Sequence, residues 1–373
     1  MWPRLAEGRQ SEGRRFLGTV PLGNPGGGPT TPLGRLLGNG LDARQFADLS
    51  TIDPHEPATL VNANDRFYVR TAAPAEAAAL GSGAAATARL FKRATGLDFE
   101  SLERLAVRPG PVVVECAGNA DPANFGLISA ATWEGIPIPA VLDRLPAGPP
   151  GSRVLVSGID DPGPSRTSIP GASWIFSRDQ LEHALLATGM NDAPLPLHHG
   201  APIRLLVPGW YGCACIKWVD AIRFVPDSAP ATSQMQEFAA RTHQPFALSA
   251  GSPADARPAR DYEAAAIDTA AAPVRVEKWI AGGRIEYRVV GLIWGGTKTT
   301  NALSIRFRIG QSWTKVDDCP LPSSTSTWGA WTHTWRPAEP GRYQIVLRVD
   351  DPTIRTRRLD LFYYVREVDI QDV

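Results

Sequence analysis

The last hundred residues constrain the fold of this chain most, because they alternate between apolar and polar positions. In the stretch LSIRFRIG, Ile305, Phe307 and Ile309 occupy one face of an extended segment, and arginines occupy the other. YQIVLRVDD repeats this alternation, and RLDLFYYVREV is expected to form a last strand. Short alternating strands separated by turn signals predict an all-β, Ig-like sandwich over residues 273–373.

Tryptophan is concentrated in this β-rich part, which holds six of the eleven tryptophans of the chain. They are Trp279, Trp294, Trp313, Trp328, Trp331 and Trp335. Core packing explains most of them. The cluster WGAWTHTW could also supply a contact between subunits, because aromatic residues are enriched in protein interfaces.

Helical and extended patterns alternate earlier in the chain, so residues 61–225 are predicted to form a mixed α+β domain. We expect strands in RFYVR (66–70), GPVVVECAGN (110–119), RVLVSGID (153–160) and APIRLLVPGWYG (201–212). We expect short helices over 97–105, 139–145 and 177–191, the last with Ser177 as N-cap and Gly189 as stop signal. The alanine-rich segment 76–94 is either a loop or a poor helix.

Two further segments lack a clear period. Residues 1–60 are rich in Gly and Pro and are predicted to form an irregular arm packed on the α+β domain. Residues 226–272 are rich in Ala, Ser and Pro and are expected to link the two domains or to wrap over the first. A chain of 373 residues is long enough for this organisation.

The charge balance argues against several classes of partner. Lys and Arg (38) equal Asp and Glu (38), so the net charge is zero and no nucleic-acid partner is indicated. Any positive site must therefore be a local pocket. No run of 18 apolar residues occurs, which argues against a membrane partner.

The N-terminal segment bears on the location of the protein. Arg14 and Arg15 resemble the pair in a twin-arginine export signal, but Pro21, Gly23 and Pro25 stand where an apolar segment should follow. We therefore expect a mature N-terminal arm and a cytoplasmic protein, with a periplasmic location as the alternative.

Four cysteines in a chain of this length do not indicate a disulfide scaffold. Cys213 and Cys215 form a C-x-C pair, which fits two small strand residues better than a metal or redox site. Cys116 differs, because the apolar run VVVECAGNADP ends on Glu115 and Cys116 and then turns at once. Its sulfur should lie at the edge of a sheet, either as a buried small side chain or as a displayed ligand.

The stretch HHGAPIRLLVPGWYGCACIKW (198–218) combines cations with glycines. His199, Arg204 and Lys217 are three potential cations around one strand and turn, where glycines let the backbone approach a ligand. Arg, Lys and turn N–H groups are what an anionic phosphate needs. Solvated charges at a sheet edge are the alternative, and no nucleotide-binding glycine loop is present.

Taken together, these stretches resemble the sulfite oxidase family of molybdenum enzymes. The order FYVR, ECAGN, SGID, HHGAPIRLLVPGWYG…IKW and then GLIWGG and AWTHTW carries the resemblance over about residues 15–373. The resemblance implies a sulfite-oxidase-type molybdopterin-binding domain with Cys116 as the sole protein ligand to molybdenum. The dithiolene sulfurs of molybdopterin and oxo groups would complete the metal site, and a thiolate is a soft ligand that suits such a metal.

The resemblance also implies roles for other residues. His199, Arg204 and Lys217 match the segment that binds the pterin and its phosphate, and Asp160 matches a carboxylate that accepts hydrogen bonds from the pterin. Arg70 matches an arginine beside the oxo ligands and the substrate anion. The Ig-like domain would form a homodimer. No haem-binding domain is expected, so electrons would pass to an external acceptor such as a cytochrome.

The chain departs from the family at the substrate site. CAGNADP places Ala120 and Asp121 where sulfite-oxidising members tend to have two arginines, and an acid facing a dianion would repel it. Ala72 stands where the family often has histidine. Lys298, in IWGGTK, lies near the position of a further arginine.

The family tyrosine of the active site falls near Phe238 by counting along the chain. The register in QEFAARTHQ also allows Arg241 or His243 to enter the pocket instead. Asp121, Phe238 and Lys298 are therefore candidate catalytic residues together with Arg70 and Cys116.

Two functions follow from these observations. The first is a molybdopterin oxidoreductase that performs oxygen-atom transfer on sulfite, another small oxyanion or a sulfoxide. The second is a catalytically inactive homodimer that only binds the cofactor. Cys116 favours the first, since an inactive scaffold has no need of a metal thiolate. A third function, an Ig-type adhesion module with an unrelated first domain, would require the stretch around Cys116 and the stretch 198–218 to resemble the family only by chance.

Overall fold

The computed structural model of the chain describes residues 10–11, 13–25, 31–121, 124–160, 172–244 and 257–373. Strands dominate these ranges, and the helices are few and short. None of the helices described is long and apolar enough to cross a membrane.

The elements are numbered in chain order. The helices are α1 (Ala75–Leu80), α2 (Ala84–Thr95), α3 (Glu100–Glu103), α4 (Ile138–Leu142) and α5 (Ser233–Phe238). The strands up to residue 225 are β1 (Gln10–Ser11), β2 (Arg14–Val20), β3 (Leu22–Gly23), β4 (Arg44–Gln45), β5 (Val69–Arg70), β6 (Pro111–Glu115), β7 (Ile128–Pro137), β8 (Arg153–Gly158), β9 (Ser173–Phe176), β10 (Leu185–Met190), β11 (Ala193–Pro194), β12 (Arg204–Leu206) and β13 (Val219–Val225). The later strands are β14 (Ala270–Ala281), β15 (Arg284–Trp294), β16 (Leu303–Arg306), β17 (Thr314–Lys315), β18 (Trp328–Trp335), β19 (Gly341–Val349) and β20 (Arg366–Ile370).

The sheets of the first part of the chain, up to residue 225, fix the position of the CAGN turn (116–119). One sheet has the order β11–β10–β7–β6, with β12 also paired to β10, and a second has the order β13–β8–β9. The apolar run in β6 is buried at Val112, Val113 and Val114, which is why this segment forms a strand rather than a loop. Glu115 pairs with Ile128 at the end of the β6–β7 ladder, and Cys116 follows directly.

Two five-stranded sheets form the second part of the chain. Their orders are β1–β2–β14–β15–β18 and β17–β16–β19–β20–β3, and β14 packs against β19 between them. Ile305, Phe307, Ile345 and Leu347 are buried, as the alternation predicts. Ile309 lies beyond the end of β16 and is 81% exposed, so the apolar face is shorter than the pattern predicts.

The tryptophans of this part belong to its interior. Trp279, Trp294, Trp328, Trp331 and Trp335 are buried, and only Trp313 among the six is half-buried. The strand WGAWTHTW packs inside its own chain, so core packing is the interpretation that the structure supports.

The N-terminal segment is not an irregular arm on the first domain over its described residues 13–25. β2 pairs antiparallel with β14, where Val20 stands opposite Val276, and β3 pairs with β20. Phe16 of β2 is buried. The segment therefore adds a strand to each sheet of the second part, because an open sheet edge offers backbone groups that a passing strand can satisfy.

The predicted helix over 177–191 is wrong. The backbone N–H of Gln180 does donate to the Ser177 hydroxyl at 3.2 Å, as an N-cap requires, but only a single 3-10 turn follows. β10 then pairs with β7 on one side and with β12 on the other. Leu185, Leu186 and Ala187 are all buried, and such a continuous apolar run suits a central strand as well as a helix face.

The alanine-rich segment 76–94 forms two helices, α1 and α2, rather than a loop. Alanine has the highest helix propensity, and α2 packs an apolar face against β13. Gly96 ends α2 in the left-handed conformation, with φ of 77°. Within the described part of 226–272, α5 begins at an N-cap, where the Met235 N–H donates to the Thr232 hydroxyl at 3.2 Å.

Candidate active site

Cys116 lies at the end of β6 in a turn that fixes its sulfur. Its own N–H donates to the Leu127 carbonyl at 2.9 Å, and its carbonyl accepts from the Asn119 N–H at 2.9 Å. The Gly118 N–H points back and donates to Cys116 Sγ at 3.3 Å. The thiol is 9% exposed, so this turn presents a nearly buried sulfur with a backbone donor already in place.

Asn119 explains why the turn has this shape. Its side-chain Oδ1 accepts from the Leu127 N–H at 3.0 Å, and its Nδ2 donates to the Phe125 carbonyl at 3.3 Å. The amide is buried, so both bonds are made away from water. The side chain therefore ties the turn to the start of β7, a role that alanine or leucine could not perform.

The electrostatics of Cys116 favour the protonated thiol in the protein alone. Burial raises the pKa of Cys116, while the Gly118 N–H and the cation of Arg70 act in the opposite direction. Glu115 raises the pKa further, and Arg241 lowers it. A bound metal cation would be the group that holds this sulfur as a thiolate.

Two cavities meet at Cys116. The first, of about 100 Å³, is narrow, and the second, of about 1090 Å³, is wide. Arg70, Cys116 and Phe238 line both. The junction therefore contains three of the residues that the sequence singles out.

Arg204 and Lys217 line the first cavity. Arg204 is 4% exposed and donates through Nη1 to the His199 carbonyl at 3.2 Å, while its buried Nε has no partner among the described residues. Lys217 Nζ donates to the carbonyls of Arg70, Thr71 and His198 at 3.1, 2.6 and 3.1 Å. Burial and then the Arg204 cation lower the pKa of Lys217 to about 7. Arg204 is thus the cation with an unused donor.

His199 lines the same cavity but is not a cation near neutral pH. Burial lowers its pKa to about 3, with further lowering from Arg204 and Lys217. Its Nε2 lies 2.8 Å from the Asn64 carbonyl, which can only accept, so Nε2 carries the proton. The ring packs edge-on against Phe67 at 5.2 Å. Of the three potential cations, His199 is therefore the one that stays neutral near neutral pH.

Asp160 also lines the first cavity, and its position depends on Gly158 at the end of β8. A Cβ at Gly158 would come within 2.8 Å of Asp160 Oδ1 and would overlap the Lys217 carbonyl. Only glycine leaves room for this close approach. The Asp160 carboxylate in turn opposes the lowering of the pKa of Lys217.

Arginines form the cationic wall of the second cavity close to Cys116. Arg70 ends β5, and Arg241 follows α5. The guanidinium of Arg241 lies over the Phe238 ring at 5.4 Å, and its Nη1 would be 3.4 Å from a Cβ at Gly118. The described residues offer this guanidinium neither a hydrogen-bond acceptor nor an ion pair. Of the alternatives in QEFAARTHQ, the structure brings Phe238, Arg241 and His243 to the cavity.

Two candidate catalytic residues lie elsewhere. Lys298 Nζ pairs with Asp351 Oδ2 at 3.2 Å and lines neither cavity. Asp121 accepts a hydrogen bond from the Thr31 hydroxyl at 2.7 Å. Burial lowers the pKa of Arg366 to about 10, and the nearby Asp121 carboxylate opposes this lowering. Asp121 lines neither cavity, so it does not face an anion beside Cys116.

Sequence reasoning missed a second set of residues around the wide cavity. Tyr211, Arg357, Tyr363 and Tyr364 line it, and Arg357 pairs with Glu115. Arg357 is separated from Glu115 by 242 positions, and local sequence patterns cannot predict a pairing over that distance. The only signal was the unusual glutamate directly before Cys116.

Comparisons with known proteins agree with this geometry. Residues 87–233 match the family described as oxidoreductase molybdopterin binding domain. Sulfite oxidase of Gallus gallus is 33% identical over 145 residues, which cover 34% of this chain and 30% of that protein. The protein-methionine-sulfoxide reductase catalytic subunit MsrP of Xanthomonas axonopodis pv. citri is 34% identical over 120 residues, which cover 28% of this chain and 36% of that protein.

The alignments thus span about a third of the length of these relatives. Among solved structures, the sulfane dehydrogenase SoxCD from Paracoccus pantotrophus superposes with a TM-score of 0.61 at 15% identity, over 94% of both chains. This likeness concerns the fold alone. The matched residues include Cys116, Asp160, Arg204 and Lys217. Residues 87–233 are thus similar to the molybdopterin-binding domain of sulfite oxidases and of the methionine-sulfoxide reductase MsrP.

Proposed function

We propose that this protein is a molybdenum oxidoreductase that transfers an oxygen atom to or from sulfite, a related small oxyanion or a sulfoxide. The observation that carries the proposal is the position of Cys116. Its sulfur lies where a narrow cavity with a buried cation meets a wide cavity with exposed arginines. A metal at this sulfur would face the cofactor on one side and the substrate on the other.

The residues of the narrow cavity fit molybdopterin. The buried Nε–H of Arg204 has no partner among the described residues, and an anionic phosphate would satisfy it. Lys217 adds a second donor group next to it, and Asp160 offers a carboxylate to pterin N–H groups. The Cys116 thiolate would be the protein ligand. When bound, the cofactor supplies the two-electron redox chemistry and the transferable oxygen.

The residues of the wide cavity fit an anionic or strongly dipolar substrate oxygen. Arg241 brings a cation to the side of the Cys116 turn, and Arg70 brings a second. Arg241 therefore supplies a positive charge near Cys116, which neither Ala120 nor Asp121 can supply. Phe238 and Tyr363 give the cavity apolar walls, which an organic sulfoxide could contact, whereas sulfite would use only the arginines.

The second candidate function is a catalytically inactive, cofactor-binding protein of the same family. Phe238 favours it, because a phenyl ring at the junction of the cavities supplies no hydroxyl for proton transfer. The inactive form would bind the cofactor as tightly as the active form. Turnover measurements, rather than metal content, separate the two.

The test begins with protein made in a host that synthesises molybdopterin. We expect wild type and Cys319→Ser to contain about one molybdenum per chain, and Cys116→Ser to contain at least about tenfold less, because one thiolate ligand is lost. Cys319 is a suitable control because it is a free, half-buried cysteine of the second part. Equal molybdenum in Cys116→Ser would overturn the assignment of the ligand.

Activity is then measured in both directions on the loaded protein. Sulfite oxidation is followed with an artificial electron acceptor, and reduction of a dialkyl sulfoxide with an artificial donor. Turnover in either assay that disappears in Cys116→Ser supports the enzyme. A fully loaded protein without turnover on oxyanions or sulfoxides supports the inactive alternative.

The assembly and location of the protein complete the proposal. We propose that residues 273–373, with the strands from residues 14–23, form an Ig-like domain that makes a homodimer, and that residues 61–225 form the cofactor domain joined to it by 226–272. Two facing five-stranded sheets support the first point. Sedimentation equilibrium at twice the chain mass would support the dimer, and a concentration-independent monomer would contradict it.

The route of the electrons is also part of the proposal. The sequence resemblance supports transfer to an external acceptor, such as a cytochrome, without a haem in this chain. A haem absorption band in the purified protein would contradict this. Four free cysteines support a reducing compartment, hence the cytoplasm rather than the periplasm, and cell fractionation tests that choice.

A further inference from the structure

Glu115 and Arg357 form a buried ion pair beside the proposed metal ligand. Arg357 Nη1 donates to Glu115 Oε1 and Nη2 donates to Oε2, both at 2.7 Å. The indole N–H of Trp294 donates to Oε2 at 2.8 Å. The side chains of Glu115 and Arg357 are 1% and 9% exposed, so the pair is made almost without water.

The second part of the chain holds Arg357 in place. Its backbone N–H donates to the Thr269 carbonyl at 2.9 Å, and its Nη1 also donates to the Tyr364 hydroxyl at 2.9 Å. The guanidinium lies over the Tyr211 ring at 5.2 Å. Backbone, hydroxyl and aromatic contacts thus fix the arginine. Because the arginine bonds both carboxylate oxygens of Glu115, it also fixes the position of that side chain.

Glu115 passes this constraint to Cys116, which follows it in the chain. The Glu115 carbonyl accepts from the Gly212 N–H at 2.6 Å, and the next N–H, that of Cys116, donates to Leu127. With the side chain clamped by Arg357 and both flanking backbone bonds made, the Cα–Cβ direction of Cys116 has little freedom.

These two buried positions do not need an ion pair in order to be stable. Replacing a buried ion pair with apolar residues of similar volume often leaves stability unchanged or raises it, whereas removing one partner is costly. Next to a metal ligand the pair also has an electrostatic effect. The positive charge of Arg357 offsets the negative charge of Glu115 at the sulfur of Cys116. Both members also line the wide cavity.

We propose that the Glu115–Arg357 pair, acting as two positioning residues, sets the orientation and electrostatic surroundings of Cys116, and so couples the metal site to the second part of the chain. This inference rests on the proposed function, in which Cys116 binds molybdenum. It adds a role for a residue that lies 241 positions after the ligand in the sequence. Outer partners of metal ligands typically change metal affinity or activity 10- to 100-fold when they are lost.

A matched ion pair in the same chain provides the control. Arg275 Nη2 lies 2.7 Å from Glu277 Oε1, with side chains 6% and 0% exposed. Glu277 also accepts from a tryptophan indole, that of Trp279, at 2.9 Å. This pair is buried to a similar degree and lines neither cavity, although Glu277 is also held by Arg288, whose Nη2 lies 2.7 Å from Oε2.

The experiment compares Glu115→Gln/Arg357→Met with Glu277→Gln/Arg275→Met in the full-length protein from a molybdopterin-producing host. The readouts are molybdenum content, the Mo(V) electron paramagnetic resonance spectrum, and kcat and KM per bound molybdenum. We expect the first double variant to show a changed spectrum and about a tenfold lower kcat with KM changed less than about twofold. The second should keep the wild-type spectrum and kcat per molybdenum, whatever its melting temperature.

Arg357→Lys provides a second test if the double variant does not fold. Lysine keeps the positive charge but cannot make two parallel bonds to the carboxylate, so we expect a changed spectrum here as well. A wild-type spectrum and kcat per molybdenum in either site variant would overturn the proposal and leave the proposed function intact. A wild-type protein without molybdenum would overturn both.

Discussion

Replacing Arg204 with methionine should separate cofactor binding from folding. Arg204 is 4% exposed, and its Nε has no partner among the described residues, so an anionic group bound there would receive a hydrogen bond from a buried cation. One such charged bond contributes roughly 1.5–3 kcal/mol. Since 1.4 kcal/mol is a factor of ten in affinity, Arg204→Met should weaken cofactor binding about 10- to 150-fold.

The same substitution should hardly change the stability of the cofactor-free protein. It removes the bond from Nη1 to the His199 carbonyl, at 3.2 Å, and the contact of the guanidinium with the Trp133 ring at 5.4 Å. It also removes a buried unsatisfied donor, which costs about 1–3 kcal/mol, and the repulsion that lowers the pKa of Lys217. These changes oppose each other, so we expect the free energy of unfolding to change by less than about 1 kcal/mol.

The assay uses protein from a host that cannot make molybdopterin. Urea unfolding measures stability, and reconstitution with the cofactor measures affinity. Arg223→Met is the control, because Arg223 is an exposed arginine of β13 and should leave both quantities unchanged. Normal cofactor affinity combined with a large loss of stability in Arg204→Met would refute this reasoning, because Arg204 would then be a structural residue.

Three further predictions concern pH, a glycine and the substrate. Because the pKa of His199 is lowered to about 3 in the folded state, only the unfolded state takes up a proton on this histidine as the pH falls through about 6.5. The free energy of unfolding should therefore fall by about 1.6 kcal/mol between pH 6.5 and 5, and this contribution should disappear in His199→Gln. An equal slope in that variant would assign the effect to other groups. Gly158→Ala should lower stability by roughly 1–3 kcal/mol and reduce molybdenum content, because the new Cβ would overlap the Lys217 carbonyl and press on Asp160; a wild-type melting curve would contradict this. Arg241→Met should raise KM for sulfite at least about tenfold, because a charged hydrogen bond contributes roughly 1.5–3 kcal/mol. It should raise KM for an uncharged dialkyl sulfoxide much less, because that oxygen carries only a partial charge; equal effects on both substrates would show that Arg241 acts through folding.

Local patterns in the sequence predict the parts of the site that local structure decides. The apolar run before Cys116 predicts a buried strand, and the turn after it follows from glycine and asparagine. The stretch with Arg204 and Lys217 leaves an anion site and solvated charges at a sheet edge both open, and the resemblance to the sulfite oxidase family favours the anion site. These predictions needed no knowledge of distant residues.

Long-range packing decides the rest, and the sequence does not display it. His199 counts as a potential cation until burial next to Phe67 removes its charge. Arg241 becomes a cavity residue only because α5 ends near Cys116. The helix predicted over 177–191 fails because β7 and β12 flank the segment on both sides, and a continuous apolar run does not distinguish a central strand from a helix.

The most direct test of the account is the location of the metal. A crystal of the protein purified from a molybdopterin-producing host can be measured at the molybdenum absorption edge. The account predicts one anomalous peak per chain within bonding distance of Cys116 Sγ, at the junction of the two cavities. An anomalous peak elsewhere, or none in protein from such a host, would contradict the claim that Cys116 is the metal ligand.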